Sequence, residues 1–206
     1  MGYEPSVDTP APDVWVPRSR VLLLGLMGAG KTTVGEALAG KTGWPFLDND
    51  HIVEELAGSS RRALLESEGE AALRSYERLA LDRVLSDPAP LIGSVAAGAL
   101  LDPEAADELN QGRDLDSYVV WLRVPHATLV ERLQRHPEDR PWLQGDPAKA
   151  VVRLAAKREP IFDRCSDRVI DTLGRQPDDV ADEIMSALDL REIEKLSPNA
   201  MARVSS

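Results

Sequence analysis

With 206 residues, 43% of them hydrophobic, the chain can bury a sizeable core and fits one domain with short additions. A formal net charge of −11 argues against a general nucleic-acid binder, which must neutralise phosphates, but leaves room for a local phosphate site. Cys165 is the sole cysteine, so no intramolecular disulfide can form; no apolar run approaches transmembrane length and the first residues lack a signal-peptide core, so a cytoplasmic protein away from membranes is expected.

Residues 1–18 are proline-rich and aperiodic and are expected to be a disordered leader; a single domain spans 19–190, and 191–206 read as a flexible polar tail. The apolar run Val21-Leu22-Leu23-Leu24 predicts a buried strand. It runs into Gly25-Leu26-Met27-Gly28-Ala29-Gly30-Lys31-Thr32, and then into a helical pattern reaching about Lys41, closed by Gly43. Strand, glycine-rich turn and helix N-terminus together make an anion site. The glycines let backbone N–H groups aim at phosphate oxygens, Lys31 is able to reach the β- and γ-phosphates, and the Thr32 hydroxyl is a ligand for Mg²⁺. The cofactor-binding set is therefore Gly28, Ala29, Gly30, Lys31, Thr32 and Thr33, with ATP and Mg²⁺ as the cofactors.

Beyond it, Trp44–Leu47 predicts a short second strand ending at Asp48-Asn49-Asp50, followed by a helix to Ala57 that stops at Gly58. Arg61–Glu68 predicts a short helix and Glu70–Leu85 a longer one. Leu91–Val95 is a strand leading into Ala96-Ala97-Gly98, and a helix follows from Asp102 to about Asn110. Tyr118–Leu122 is a strand and Ala127–Arg135 a helix. A polar loop from about 136 to 146 separates the latter from a helix over Ala148–Glu159 that Pro160 is expected to end. Arg168–Asp171 and Asp178–Leu188 supply the last strand and helix. This alternation predicts an α/β fold in three layers, a central parallel sheet flanked by helices, with the ligand at the carboxyl ends of the strands.

Several of these segments, in this order, resemble the shikimate kinase family, a small P-loop kinase fold related to the nucleoside-monophosphate kinases. The resemblance rests on the phosphate loop, on Asp48-Asn49-Asp50, on Gly69-Glu70 with Leu73-Arg74 and Glu77, on Arg140-Pro141-Trp142-Leu143, and on Arg158-Glu159-Pro160-Ile161-Phe162. It runs from about Arg20 to Leu188. It implies a mobile lid at about 136–146 that brings Arg140 to the phosphates, with Arg175 on the adenine side and Arg132 as a further candidate there. It implies that Thr32 and Asp48 serve the metal, Asp48 through water. Asp50 would meet the substrate hydroxyl, with Lys31 and Arg140 as its partners in catalysis, and Arg74 and Arg158 would clamp a carboxylate beside the turn at Ala97 and Gly98.

Each assignment has a plain structural counterpart. Asp48 suits a helix N-cap, Arg74 lies at pairing distance from Glu70 and Glu77, and Arg140 has Glu138 and Asp139 nearby. The family carries three glycines where this chain has Ala96-Ala97-Gly98, which bears on the substrate more than on the nucleotide. The expected function is ATP-dependent phosphorylation of a small hydroxylated carboxylic acid, with shikimate to shikimate 3-phosphate as the best named reaction, by a monomer. The alternatives are a kinase for another polyol acid such as a gluconate-like compound, or a nucleotide-binding regulatory module without catalysis. The three histidines do not have metal-ligand spacing, and no CxxC exists.

Overall fold

A computed structural model describes residues 18–135 and 146–188. The expected leader and tail, and the loop that carries Arg140 and Trp142, lie outside the described residues except at their borders. Five strands form one parallel sheet: β1 (Arg20–Leu24), β2 (Phe46–Leu47), β3 (Leu91–Ser94), β4 (Ser117–Arg123) and β5 (Arg168–Asp171), in the order β2-β3-β1-β4-β5. The helices are α1 (Lys31–Thr42), α2 (Asn49–Ala57), α3 (Arg61–Ser86), α4 (Pro103–Leu115), α5 (His126–Gln134), α6 (Pro147–Cys165) and α7 (Pro177–Ala187).

Every residue of β1 is buried, because helices cover both faces of the sheet and a central parallel strand has no wet side. Its neighbours are β3 and β4, with Leu23 opposite Ser94 on one side and Val120 on the other. The chain thus builds outward from β1 in one direction and then in the other. The carboxyl end of β1 is the switch point, where a parallel α/β sheet leaves a crevice for ligand.

Two local features depart from a simple reading. Helix α6 does not end at Pro160: it continues to Cys165, and Ser166 closes it by donating to the Phe162 carbonyl at 2.9 Å. A proline inside a helix costs about 3 kcal/mol. The turn beyond Pro160 buries Phe162 and Cys165, and the Phe162 ring packs on Trp121 at 5.8 Å between centroids. Burying one such ring returns about 1.5–3 kcal/mol, and the ring contact and the buried Cys165 add to it, so tertiary packing offsets the local break. Helix α4 likewise passes Asn110 and runs to Leu115, with Gly112 lying close against Ser117 of β4.

The third feature is as expected. Gly69, with φ 85 and ψ 179, stands inside α3 and divides it into two helical arms. Arg61 and Leu65 sit on the first arm, Arg74 and Glu77 on the second, and the bend folds them around one cavity. No helix among the described residues is long and apolar enough to cross a membrane.

Candidate active site

The phosphate loop follows β1. Gly28 (φ 83) and Gly30 (φ 96) hold left-handed backbone that other residues rarely adopt. The Ala29 N–H donates to the Leu26 carbonyl at 3.0 Å and tightens the turn. Gly30 caps α1 without a side-chain hydrogen bond, and the first turn of α1 contains no acidic residue, so its N–H groups and dipole present positive potential to an anion. Lys31 reaches back across the loop, its Nζ donating to the Gly25 carbonyl at 2.9 Å. Burial pushes the Lys31 ammonium below its usual range, against the pull of Asp50 and Asp48. Thr33 donates to the Gly30 carbonyl at 3.0 Å.

Asp48 does two jobs at once. Its Oδ1 accepts from the Asp50 N–H at 2.8 Å and caps α2, while its Oδ2 accepts from the Thr32 hydroxyl at 2.7 Å. The cap therefore leaves Oδ2 free of the α2 backbone and turned to Thr32. The Thr32 hydroxyl and a carboxylate oxygen, side by side at the start of α1, are a hard oxygen pair. Among the described residues no group of three or more His, Cys, Asp or Glu gathers elsewhere to hold a metal. Mg²⁺ fits such a pair, because it takes one or two protein oxygens and fills its remaining positions with water and phosphate.

Two cavities open at the carboxyl end of the sheet. One, of about 470 Å³, is lined by the phosphate loop, Asp48, Arg132 and Arg175. Arg132 is tied to the loop itself, donating to the Gly28 carbonyl at 2.7 Å. Arg175 is held by Glu183 at 2.6 Å and by the Asp179 carbonyl at 3.0 Å. The other cavity, of about 390 Å³, is lined by Arg61, Arg74, Glu77, Arg158 and Ala96-Ala97-Gly98. Met27, Lys31 and Asp50 line both, so the two chambers meet at a lysine and a carboxylate. A larger groove of about 720 Å³ lies at the amino ends of β1 and β4, beside Arg20 and Ser117. It contains no glycine-rich turn, and Arg20 there is engaged with the carbonyls of Val84 and Asp87.

In the second cavity Arg74 bonds both Glu77, which is 3% exposed, and Glu70 at 2.8 Å. Burial works against the Arg74 charge, but Glu77 and Glu70 outweigh it and hold the guanidinium above its usual range. Arg158 differs. It is 7% exposed, and its Nε is buried without an acceptor among the described residues. Burial, with Arg74 beside it, pushes Arg158 down to about 10, so it stays charged at neutral pH.

The substrate-side turn is closed by the Ala99 N–H donating to the Ala96 carbonyl at 3.1 Å. Gly98 has φ −78 and ψ −33, so the turn does not require left-handed backbone there. Gly98 is needed for another reason: a Cβ on it would lie 1.8 Å from Arg74 Nη1 and 2.3 Å from Glu77 Oε2. Gly98→Ala is expected to push Arg74 off Glu77. Losing a charged hydrogen bond costs about 1.5–3 kcal/mol, which should lower the unfolding midpoint by roughly 3–12 °C. Differential scanning calorimetry would check this, and an unchanged midpoint would show that Arg74 moves aside freely.

The structure thus brings together Lys31, Thr32, Asp48, Asp50, Arg74, Ala97, Gly98 and Arg158, and places Arg175 in the phosphate chamber. Arg140 lies outside the described residues. Sequence reasoning passed over Arg61, which has no local signature. Glu77 carried a visible signal: it falls in the apolar stripe of Leu73, Ala80, Leu81 and Val84, where a carboxylate must have a partner.

The family model for shikimate kinase matches residues 27–189. The chain belongs to the shikimate kinase family. The shikimate kinase of Moorella thermoacetica is 38% identical over 168 residues, covering 82% of this chain and 93% of that protein. Among solved structures, shikimate kinase from Acinetobacter baumannii in complex with shikimate is 31% identical with a TM-score of 0.75, covering 82% of this chain and 92% of that one. A gluconokinase from Sinorhizobium meliloti is 20% identical with a TM-score of 0.60, covering 87% and 96%. That likeness is one of fold alone. Membership of the shikimate kinase family makes the chain an ATP-dependent small-molecule kinase, and it accounts for a phosphate chamber and an arginine-lined chamber sharing one wall.

Proposed function

We propose that the protein transfers the γ-phosphoryl group of ATP to a hydroxyl of shikimate, giving shikimate 3-phosphate and ADP, as a cytoplasmic monomer. The observation that carries this reading is the meeting of the two cavities at Lys31 and Asp50. The triphosphate occupies the chamber of the phosphate loop, and the acid occupies the chamber with Arg74 and Arg158. Asp50 accepts the proton of the substrate hydroxyl, whose oxygen bonds the γ-phosphorus as the bond to the ADP oxygen breaks. In a loose transition state a strong base is not essential, so Asp50 serves orientation as much as proton removal. Lys31 and the α1 N–H groups balance the negative charge on the phosphates. Thr32 and Asp48 would hold Mg²⁺, which when bound supplies further charge neutralisation. Arg158 meets the substrate carboxylate with a planar fork, and Arg74 reinforces it.

Ala96 and Ala97 favour a second reading, a kinase for a different polyol acid, because both line the substrate chamber. Their methyl groups are largely buried, however, and the turn they belong to tolerates negative φ at Gly98. We therefore expect coupled ADP release to be stimulated by shikimate, with kcat/KM of about 10⁴ M⁻¹s⁻¹ or more. Ala96→Gly/Ala97→Gly is expected to change that value by less than about threefold, since glycine here mainly loosens the backbone. A rise of about tenfold or more, worth 1.4 kcal/mol, would mean that the pocket has moved away from shikimate. Stimulation by gluconate or quinate and not shikimate would establish the second reading, and no ADP release with any acid would leave only a nucleotide-binding module.

A further inference from the structure

Arg61 stands between the two carboxylates that matter most in the substrate chamber. Its Nη1 pairs with Asp50 Oδ2 at 2.5 Å and its Nη2 with Glu77 Oε1 at 3.5 Å. The other oxygen of Glu77 is taken by Arg74. Charges therefore alternate along one chain, Asp50–Arg61–Glu77–Arg74. Helix geometry alone would forbid this: Arg61 and Glu77 are sixteen positions apart, about 24 Å along a straight helix. They meet because Gly69 breaks α3 between them.

The two ends of the chain differ in how firmly they are held. Glu77 is 3% exposed and sits between two guanidiniums, so it is a fixed anchor. Asp50 is 59% exposed on the first turn of α2, where a carboxylate without a partner samples several rotamers. A planar guanidinium that grips one oxygen of Asp50 and is itself anchored on buried Glu77 removes that freedom. We propose that Arg61 is a positioning residue for phosphoryl transfer: it holds Asp50 at the junction of the two chambers and ties it, through Glu77, to the arginine that reads the substrate acid. This rests on the kinase reading above. In this assignment Arg61 acts through Asp50, holding its Oδ2 and leaving the other oxygen of that carboxylate to the hydroxyl.

The test is a double-mutant cycle on the full chain, with saturating Mg-ATP and shikimate and ADP release as the readout. Arg61→Gln is expected to lower kcat by about ten- to a hundredfold, as a misplaced catalytic group does. Shikimate affinity, measured by calorimetry, should stay within about threefold, because the carboxylate clamp is retained. Arg61→Lys, which can hold Asp50 without the fork, should recover part of the rate. In an Asp50→Asn background, adding Arg61→Gln should cost less than about twofold, because position 50 then offers no carboxylate for the guanidinium to hold. If Arg61→Gln does not fold, Arg61→Met, which keeps the length of the side chain and leaves the Glu77–Arg74 pair in place, is expected to show the same loss of kcat. A wild-type kcat in either variant, or an equal loss with and without Asp50, would overturn the assignment while leaving the kinase reading intact. A wild type that releases no ADP with shikimate would overturn the kinase reading, and this one with it.

Discussion

Lys31→Ala is expected to lower kcat by about 10²–10³, the cost of removing one preorganised charge from a transition state, with an unchanged helical circular dichroism signal. Lys31 belongs to the wall shared by both chambers, and its ammonium donates to the Gly25 carbonyl, a contact within the phosphate loop. Its pKa is pushed down by burial, so the folded chain already bears a cost for keeping this cation charged and enclosed. A bound phosphate would relieve that cost. Alanine loses one hydrogen bond to the loop and relieves the cost of an enclosed charge, so the unfolding midpoint should stay near that of the wild type or rise slightly. Steady-state ADP release and thermal melts on the purified variant decide the matter. Wild-type turnover in Lys31→Ala would remove this loop from the reaction altogether.

Arg158 should separate stability from function. Its guanidinium is buried beside Arg74, with Nε lacking an acceptor among the described residues. The sign follows from linkage. The folded-state pKa, about 10, lies well below the ordinary arginine value, so folding disfavours the charged form at every pH below about 10, including neutral pH. Arg158→Met keeps the length and removes the charge, so the unliganded protein is expected to melt at a higher temperature than the wild type. The same variant should lose about ten- to a hundredfold in kcat/KM for shikimate, the equivalent of one or more charged hydrogen bonds. The KM for ATP should stay within about threefold, because the clamp lies in the other chamber. Arg158→Lys should behave similarly in kinetics, since an ammonium cannot present the fork. Two results would count against this: a lower melting temperature for Arg158→Met, or equal activity of the wild type on shikimate and its methyl ester. The first would mean that the arginine has a structural partner; the second, that it does not read a carboxylate.

Such trade-offs are expected where a site is built to receive charge. A fold tolerates a costly cation when a ligand later completes it, and the ligand then stabilises the protein by mass action. Shikimate should accordingly raise the melting temperature of the wild type more than that of Arg158→Met.

What was legible in the sequence was local. The phosphate loop could be read from eight consecutive residues, because a strand, three glycines and a helix start are consecutive in the chain and their chemistry depends on local backbone conformation and on the two side chains, Lys31 and Thr32, that follow the last glycine. Asp48 and Asp50 were legible for the same reason, as the cap and first turn of a helix that follows a short strand. Gly69 was legible as a helix break. The alternation of strands and helices specified a parallel sheet, but not the order β2-β3-β1-β4-β5 that sets Ser94 and Val120 on either side of Leu23.

What only the tertiary structure decided was long-range. Pro160 reads as a stop, yet α6 continues, because burying Phe162 against Trp121 together with Cys165 offsets a local cost of about 3 kcal/mol. Gly98 reads as a residue kept for its backbone freedom, yet its φ is ordinary, and what excludes a side chain there is the Arg74–Glu77 pair lying against it. Arg61 reads as one more surface arginine; only the fold sets it between Asp50 and a buried glutamate. Turn chemistry and helical periodicity act over a few residues and leave their marks in the chain, whereas the energy of a buried ion pair depends on which distant groups packing brings within a few ångströms, and that is determined by the closed fold rather than by any one segment of it.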